Sequence, residues 1–360
     1  MSHRPTLQAR VKRTYTLPLG LITIILVLVL TACGGAAATT TTSSPSTPKQ
    51  TSNLSVVTLP GYQVSLFASG TSSYSHPDSL AVDNGHVFID YQNLSTKTGG
   101  GTSTVVEYTM DGKVVKTFTV SGHSDGMRID PSTHLVWTTS NEDGNPTMAT
   151  IDPNSGTVTP YTFAKTPHGG GYDDLWFLNG KTYIAASNPT LDKSGNNPNP
   201  AVDQITLSSG KAVLTPVVMG NATATDAVSN SKVSPTFTDP DSLSQDTNGN
   251  LVLIAQADQE IITIKNPGTP QQTLTSLKVG TALDDTVWAT SKTGRLLISD
   301  GNTGKTYWLS GPFVVGGIYT QTPDDSTVAG LVGQVDPATG ILTAIAIGFS
   351  KPTGMIFVTG

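Results

Sequence analysis

One short phrase recurs along most of this 360-residue chain, and it restricts the possible folds more than any other feature. Pro77-Asp78-Ser79-Leu80-Ala81-Val82-Asp83 leads through Asn84-Gly85 to Val87-Phe88-Ile89. Ser124-Asp125-Gly126-Met127-Arg128-Ile129-Asp130 leads through Pro131-Ser132 to Leu135-Val136-Trp137. Tyr172-Asp173-Asp174-Leu175-Trp176-Phe177 precedes Asn179-Gly180, and Pro240-Asp241-Ser242-Leu243 precedes Asn248-Gly249. Asp285-Thr286-Val287-Trp288-Ala289 leads to Thr293-Gly294 and Leu296-Leu297-Ile298, and Pro352-Thr353-Gly354-Met355-Ile356-Phe357 ends the series. The first five copies read as strand, tight turn, strand, with Asn-Gly supplying the positive φ that short hairpins need.

The aligned positions 78, 125, 173, 241, 285 and 353 are separated by 47, 48, 68, 44 and 68 residues. The short separations match a four-stranded propeller blade of about 40–50 residues. The long ones imply insertions around 187–239 and 304–329. The outer half of a blade also repeats: Ile151-Asp152-Pro153-Asn154-Ser155-Gly156 and Val335-Asp336-Pro337-Ala338-Thr339-Gly340 each read as strand, type I turn, strand. A composition of 13% charged residues with 36 Gly and 23 Pro suits short strands and tight turns. The expectation is an all-β, six-bladed β-propeller over 54–360. The strand 353–358 lacks following partners, and 54–59 with 62–68 lacks a preceding one. Together they are expected to complete one blade and close the ring.

Residues 1–32 read as a signal peptide: Arg4, Arg10, Lys12 and Arg13 precede a 14-residue apolar run, Leu17 to Leu30. That run is shorter than the ~20 residues of a transmembrane helix. Leu30-Thr31-Ala32-Cys33 resembles the bacterial lipobox, which implies cleavage before Cys33, the chain's single Cys, and lipidation of its thiol. Residues 33–53, rich in Gly, Ala, Thr, Ser and Pro, read as a disordered tether. The expected address is the extracytoplasmic face of a bacterial cell membrane, held by the lipid anchor, with the protein acting as a monomer. Removing residues 1–32 leaves 16 Lys+Arg against 26 Asp+Glu, which argues against a nucleic-acid partner.

The repeated phrase, Pro-Asp-Gly/Ser-Leu/Met opening the innermost strand, resembles the six-bladed propellers of the gluconolactonase and senescence-marker-protein superfamily and the related NHL repeats. In such a ring the first strand of each blade lines the central channel. Asp78, Asp125, Asp173, Asp241 and Asp285 then gather at one mouth, with Thr353 sixth. Hard oxygen donors crowded in this way suit Ca²⁺ or another divalent cation. The resemblance implies metal ligands at Asp125 and Asp241 and a metal-dependent lactonase-like hydrolysis; the Glu-Gly-Pro phrase of the family's early blades is absent here. No catalytic residue is assigned from the residues alone. His76, His123, His168, Tyr172 and Asp174 are further ligand-binding candidates, the last three flanking the run Gly169-Gly170-Gly171. Trp137, Trp176 and Trp288 read as inter-blade packing. Three readings follow: a tethered propeller binding a small-molecule or protein ligand at the central channel, with a divalent cation as a candidate link, a metal-dependent lactonase-like hydrolase, and a protein-interaction scaffold that presents the 187–239 insertion.

Overall fold

A computed structural model describes residues 56–323 and 329–360. The expected signal peptide, Cys33, the tether and the start of the 54–59 strand lie outside the described residues. Among those described, the strands form six blades. The first is a four-stranded meander, Pro77–Asp83, His86–Tyr91, Thr102–Thr109 and Val114–Ser121. The other innermost strands are Ser124–Ile129, Leu175–Leu178, Pro240–Gln245, Thr286–Trp288 and Pro352–Val358. Each packs beside the next, and the last packs against the first, so the ring closes.

The turns follow from local chemistry. Asn84 and Gly85 at φ 49° and 75°, and Asn179 and Gly180 at 52° and 73°, make the tight bends between first and second strands. In the two Asp-Pro turns the carboxylate caps its own loop: Asp152 accepts the Asn154 N–H at 2.9 Å and Asp336 accepts the Ala338 N–H at 3.0 Å.

The apolar residues sort into seams between neighbouring blades. Ala81, Phe88 and Phe118 of the first blade meet Met127, Val136 and Ile151 of the second. Equivalent clusters fill the remaining joints, the largest joining the third and fourth blades around Val202, Phe237, Leu243 and Leu253. Trp137 meets Phe177 edge-on across the joint of the second and third blades, with ring centroids 5.2 Å apart.

The closure is more elaborate than the sequence suggests. Arg295–Asp300 does not pair with Thr286–Trp288. It pairs with Pro352–Val358 and with Lys305–Ser310, and Gln63–Ser69 completes that sixth blade. Thr286–Trp288 instead pairs with Ile318–Thr322, followed by Gly330–Val335 and Leu342–Phe349, as the fifth blade. The chain therefore enters the fifth blade, crosses to the sixth, returns, and crosses again. Leu296 and Ile298 fill the seam with the fifth blade while Leu297 faces Trp308 and Phe67 in the seam with the first, so this strand is buried on both faces. Gly294 allows the crossing, since a Cβ there would stand 2.2 Å from the Phe357 ring.

Three expectations are corrected accordingly. The region 304–329 is not an insertion; it holds Lys305–Ser310 and the strand Ile318–Thr322. The segment 187–239 holds the outer half of the third blade, Pro200–Ser208 and Lys211–Met219, between the connecting stretches 187–199 and 220–239, the second of which adds Ala224–Asp226 and Lys232–Val233 at the edge of the fourth blade. The two N-terminal strands separate: Gln63–Ser69 closes the sixth blade, while Val57–Thr58 pairs with Ala346 and Ile347 on the outside of the fifth.

Candidate functional site

The repeated Asp occupies a β-bulge wherever the inner strand is long enough to show one. Register shifts between Pro77 and Leu80, Ser124 and Met127, and Pro240 and Leu243 leave Asp78, Asp125 and Asp241 in the extra turn of backbone. Such bulges re-aim side chains. Asp78, Asp125, Asp173, Asp241, Asp285 and Thr353 all line one channel-mouth cavity of about 350 Å³. The small residues after Asp78, Asp125, Asp241 and Thr353 reflect crowding at the axis. A Cβ on Gly126 would sit 2.5 Å from the Asp173 carbonyl oxygen, and one on Gly354 would sit 2.0 Å from that of Asp78. Ser79 fills the equivalent place by donating its hydroxyl to the Asp125 carbonyl at 2.6 Å.

Five further carboxylates join this wall. Glu142, Asp143, Asp174, Asp239 and Asp284 raise the total to ten, against Lys97 and Lys351. Asp174 was a candidate from the sequence; the other four were not, and the visible signal was their occurrence in acidic pairs at 142–143 and 284–285 or directly before Pro240. Burial pushes Asp78 up to about 7, with Lys351 opposing, and Asp239 up to about 6. Burial and then neighbouring carboxylates hold Asp125, Asp173 and Asp241 well above the ordinary range. Glu142 moves the other way: burial would raise it, but the Lys97 ammonium bonded to it wins and holds it ionised.

Beneath the mouth, Arg128 closes the channel. It donates from Nη2 to Asp174 Oδ2 at 2.5 Å and to Asp285 Oδ1 and the Leu243 carbonyl at 3.4 and 3.3 Å. Asp174 also accepts the Leu243 N–H at 3.1 Å, and Asp285 accepts the Met355 N–H at 2.8 Å. Residues of the second to fifth blades thus meet at one guanidinium, and the sixth joins through Asp285. Burial pushes Asp174 up to about 7 even with Arg128 opposing. Asp285, expected at the rim, is therefore tied into this plug.

Of the three candidate histidines, His123 alone reaches a mouth carboxylate, and from behind the wall. His123 is buried, its Nδ1 3.0 Å from Ser95 Oγ and its Nε2 3.4 Å from Asp125 Oδ1, behind the cavity wall. Burial lowers its pKa from the ordinary value. His76 sits in the preceding loop at φ 59°, its Nδ1 3.1 Å from Ser75 Oγ, and does not line the mouth. His168 is fully buried, donates Nε2–H to the Gly171 carbonyl at 2.6 Å and meets Tyr172 edge-on. Tyr172 stacks on Phe163 at 4.7 Å, and neither residue lines the cavity. The glycine run serves packing, because Cβ atoms on Gly170 and Gly171 would stand 2.2 and 2.1 Å from the Ser187 and Asn141 carbonyl oxygens.

Among the described residues no three His, Cys, Asp or Glu side chains stand as a ready group for one metal ion. Asp174 and Asp285 are held by Arg128, Asp125 Oδ2 accepts the Glu142 N–H at 3.0 Å, and the other carboxylates are spread around the wall. A bare Ca²⁺ needs six to eight oxygens at about 2.3–2.6 Å, and the side chains as placed do not form that shell.

No protein-family model matches the sequence, and no curated protein matches it significantly. Solved structures do. A protein from Lactobacillus plantarum is 12% identical over 79% of this chain and 89% of its own, with a TM-score of 0.47. A putative 6-phosphogluconolactonase from Bacteroides uniformis is 12% identical over 81% and 90%, with a TM-score of 0.45. The virginiamycin B lyase of Staphylococcus aureus is 12% identical over 69% and 99%, with a TM-score of 0.39. The fold itself is fixed by the strand order of the six blades.

Proposed function

We propose that this chain is a binding propeller whose acidic channel mouth takes up a small cationic ligand bearing more than one ammonium group. The observation that carries this reading is the wall of ten carboxylates against two lysines around a cavity of about 350 Å³. Low-dielectric walls of one sign concentrate counter-ions. Carboxylates spread round a wall suit a ligand whose charges are also spread. The second reading is a hydrated divalent cation, favoured by the oxygen-rich donor set.

Titration calorimetry of residues 54–360 with spermidine and, separately, with CaCl₂ tests both. Spermidine is expected to bind saturably at about pH 8, and Asp241→Asn to weaken it about tenfold or more. Binding should fade toward about pH 5 as protons occupy the raised carboxylates. No heat with spermidine, or unchanged binding in the variant, rejects the amine reading; saturable heat with CaCl₂ alone selects the divalent cation. Lactone hydrolysis that requires Ca²⁺ and disappears in both Asp125→Ala and Asp241→Ala would make the protein the lactonase-like enzyme that the repeat phrase resembles.

The mature chain begins at Cys33 under the same proposal, tethered by lipid to the outer face of the membrane, with residues 34–53 as the leash. Expression in bacteria with labelled palmitate is expected to label the full-length chain. Label that survives Cys33→Ser would reject the anchor.

A further inference from the structure

The opposite end of the channel is lined mainly by apolar and aromatic side chains. There the far ends of the inner strands surround a cavity of about 640 Å³ walled by Trp176, Phe177, Trp288 and Phe357. Arg128 and Asp285 form its floor, so the ion-pair plug separates it from the acidic mouth. Its volume falls in the range of small-molecule sites, which combine apolar walls with a few placed polar groups.

Three donors in this wall are unused. Arg128 Nε–H, the Trp176 indole N–H and the Ser244 hydroxyl find no hydrogen-bond partner among the described residues. They come from the second, third and fourth blades, and Arg128 and Ser244 are 7% and 6% exposed. Buried polar groups are rarely left unsatisfied, and such exceptions point to a missing partner. All three side chains line one cavity. The Arg128 guanidinium also lies 5.5 Å from the Trp176 ring centroid, which holds both side chains in place.

We infer that this second cavity binds a flat, uncharged, ring-bearing molecule that carries a carbonyl oxygen. The aromatic walls select the ring, and the unused donors select an acceptor. The ligand is uncharged because the floor already holds Arg128 between Asp174 and Asp285, so an added carboxylate would face Asp285 and an added ammonium would face Arg128. Trp176 and Trp288 thus serve the cavity as well as the seams in which they pack.

2-Naphthamide is the probe, titrated into residues 54–360 by calorimetry and followed by tryptophan emission, since Trp176 and Trp288 lie in the wall. The expected result is single-site binding, weakened about tenfold or more in Trp176→Leu and measurably in Ser244→Ala. Ser244→Ala removes a hydroxyl that holds nothing in the fold, so it keeps the test valid if Trp176→Leu unfolds. 2-Naphthoate and naphthalene are expected to bind more weakly than the amide. Asp241→Asn, at the other mouth, should leave the affinity unchanged. No saturable binding, equal affinity in wild type and Ser244→Ala, or loss in Asp241→Asn would each overturn the inference. The spermidine experiment has no bearing on these outcomes.

Discussion

Replacing Arg128 by Met is expected to remove about 3–5 kcal/mol of unfolding free energy at about pH 8, the usual cost of stripping one partner from a buried ion pair. The guanidinium stands between Asp174 and Asp285 with almost no solvent contact, and both carboxylates also receive backbone N–H groups from other blades. Met keeps the length and apolar bulk of the side chain, so the loss reports charge rather than a cavity. The carboxylates can relieve themselves by taking protons, so the deficit should be smaller at about pH 5. Adding Asp285→Asn to Arg128→Met should recover part of it. Urea unfolding of the single and double variants checks this. A loss below about 1 kcal/mol would mean that the plug is solvated and the blades hold without it.

The second large effect concerns pH. Thermal stability should fall as pH rises from about 5 to about 8, by about 10 °C in midpoint. Asp78 and Asp174 sit at about 7 in the folded protein because burial disfavours their charge, and Asp125, Asp173, Asp241 and Asp284 also lie well above the ordinary range for the same reason. In the unfolded chain these groups ionise near 3.9. Between those values the folded state binds more protons, so stability present at low pH is lost as pH rises through the folded values. His123 and His168, buried neutral, act in the opposite sense below about 6.5. They are two against these six, and Asp90, Asp203, Asp239 and Asp285 are raised as well. The turn residues Asp130, Asp152 and Asp336 have lowered values, and their contribution disappears only below about pH 4. Scanning calorimetry across this range checks the slope. Saturating spermidine should raise the alkaline midpoint and flatten the curve. A midpoint that climbs from about pH 5 to about pH 8 would show that the mouth carboxylates are hydrated like surface groups.

The repeat made the six-fold ring and the placement of five aspartates legible, because a strand phrase with a fixed period and a bulge puts equivalent positions on one layer. The partner of a strand was less legible. Leu296-Leu297-Ile298 shows that both faces are buried, yet nothing local says whether Thr286–Trp288 or Pro352–Val358 lies alongside. Arg128 was hidden for a related reason. A single Arg within an apolar strand looks like any solvated side chain until Asp174 and Asp285, 46 and 157 residues away, are seen across the axis. Glu142, Asp143 and Asp239 lie between strands, where periodicity carries no information. His168 and Tyr172 misled because a glycine run beside polar residues looks the same whether backbone approaches a ligand or another backbone.

The crossing of the chain between the fifth and sixth blades also governs the order of assembly. Val64 must wait for Leu309, and Leu297 for Ile356, so neither of the last two sheets can mature while the ribosome is still at work on the other. Four blades are free to settle as they emerge, but the final third of the molecule is an all-or-nothing event that needs both termini present. A nascent chain paused near residue 310 would carry an unmatched β-edge at each end. Folding deferred until the whole polypeptide is available removes that hazard.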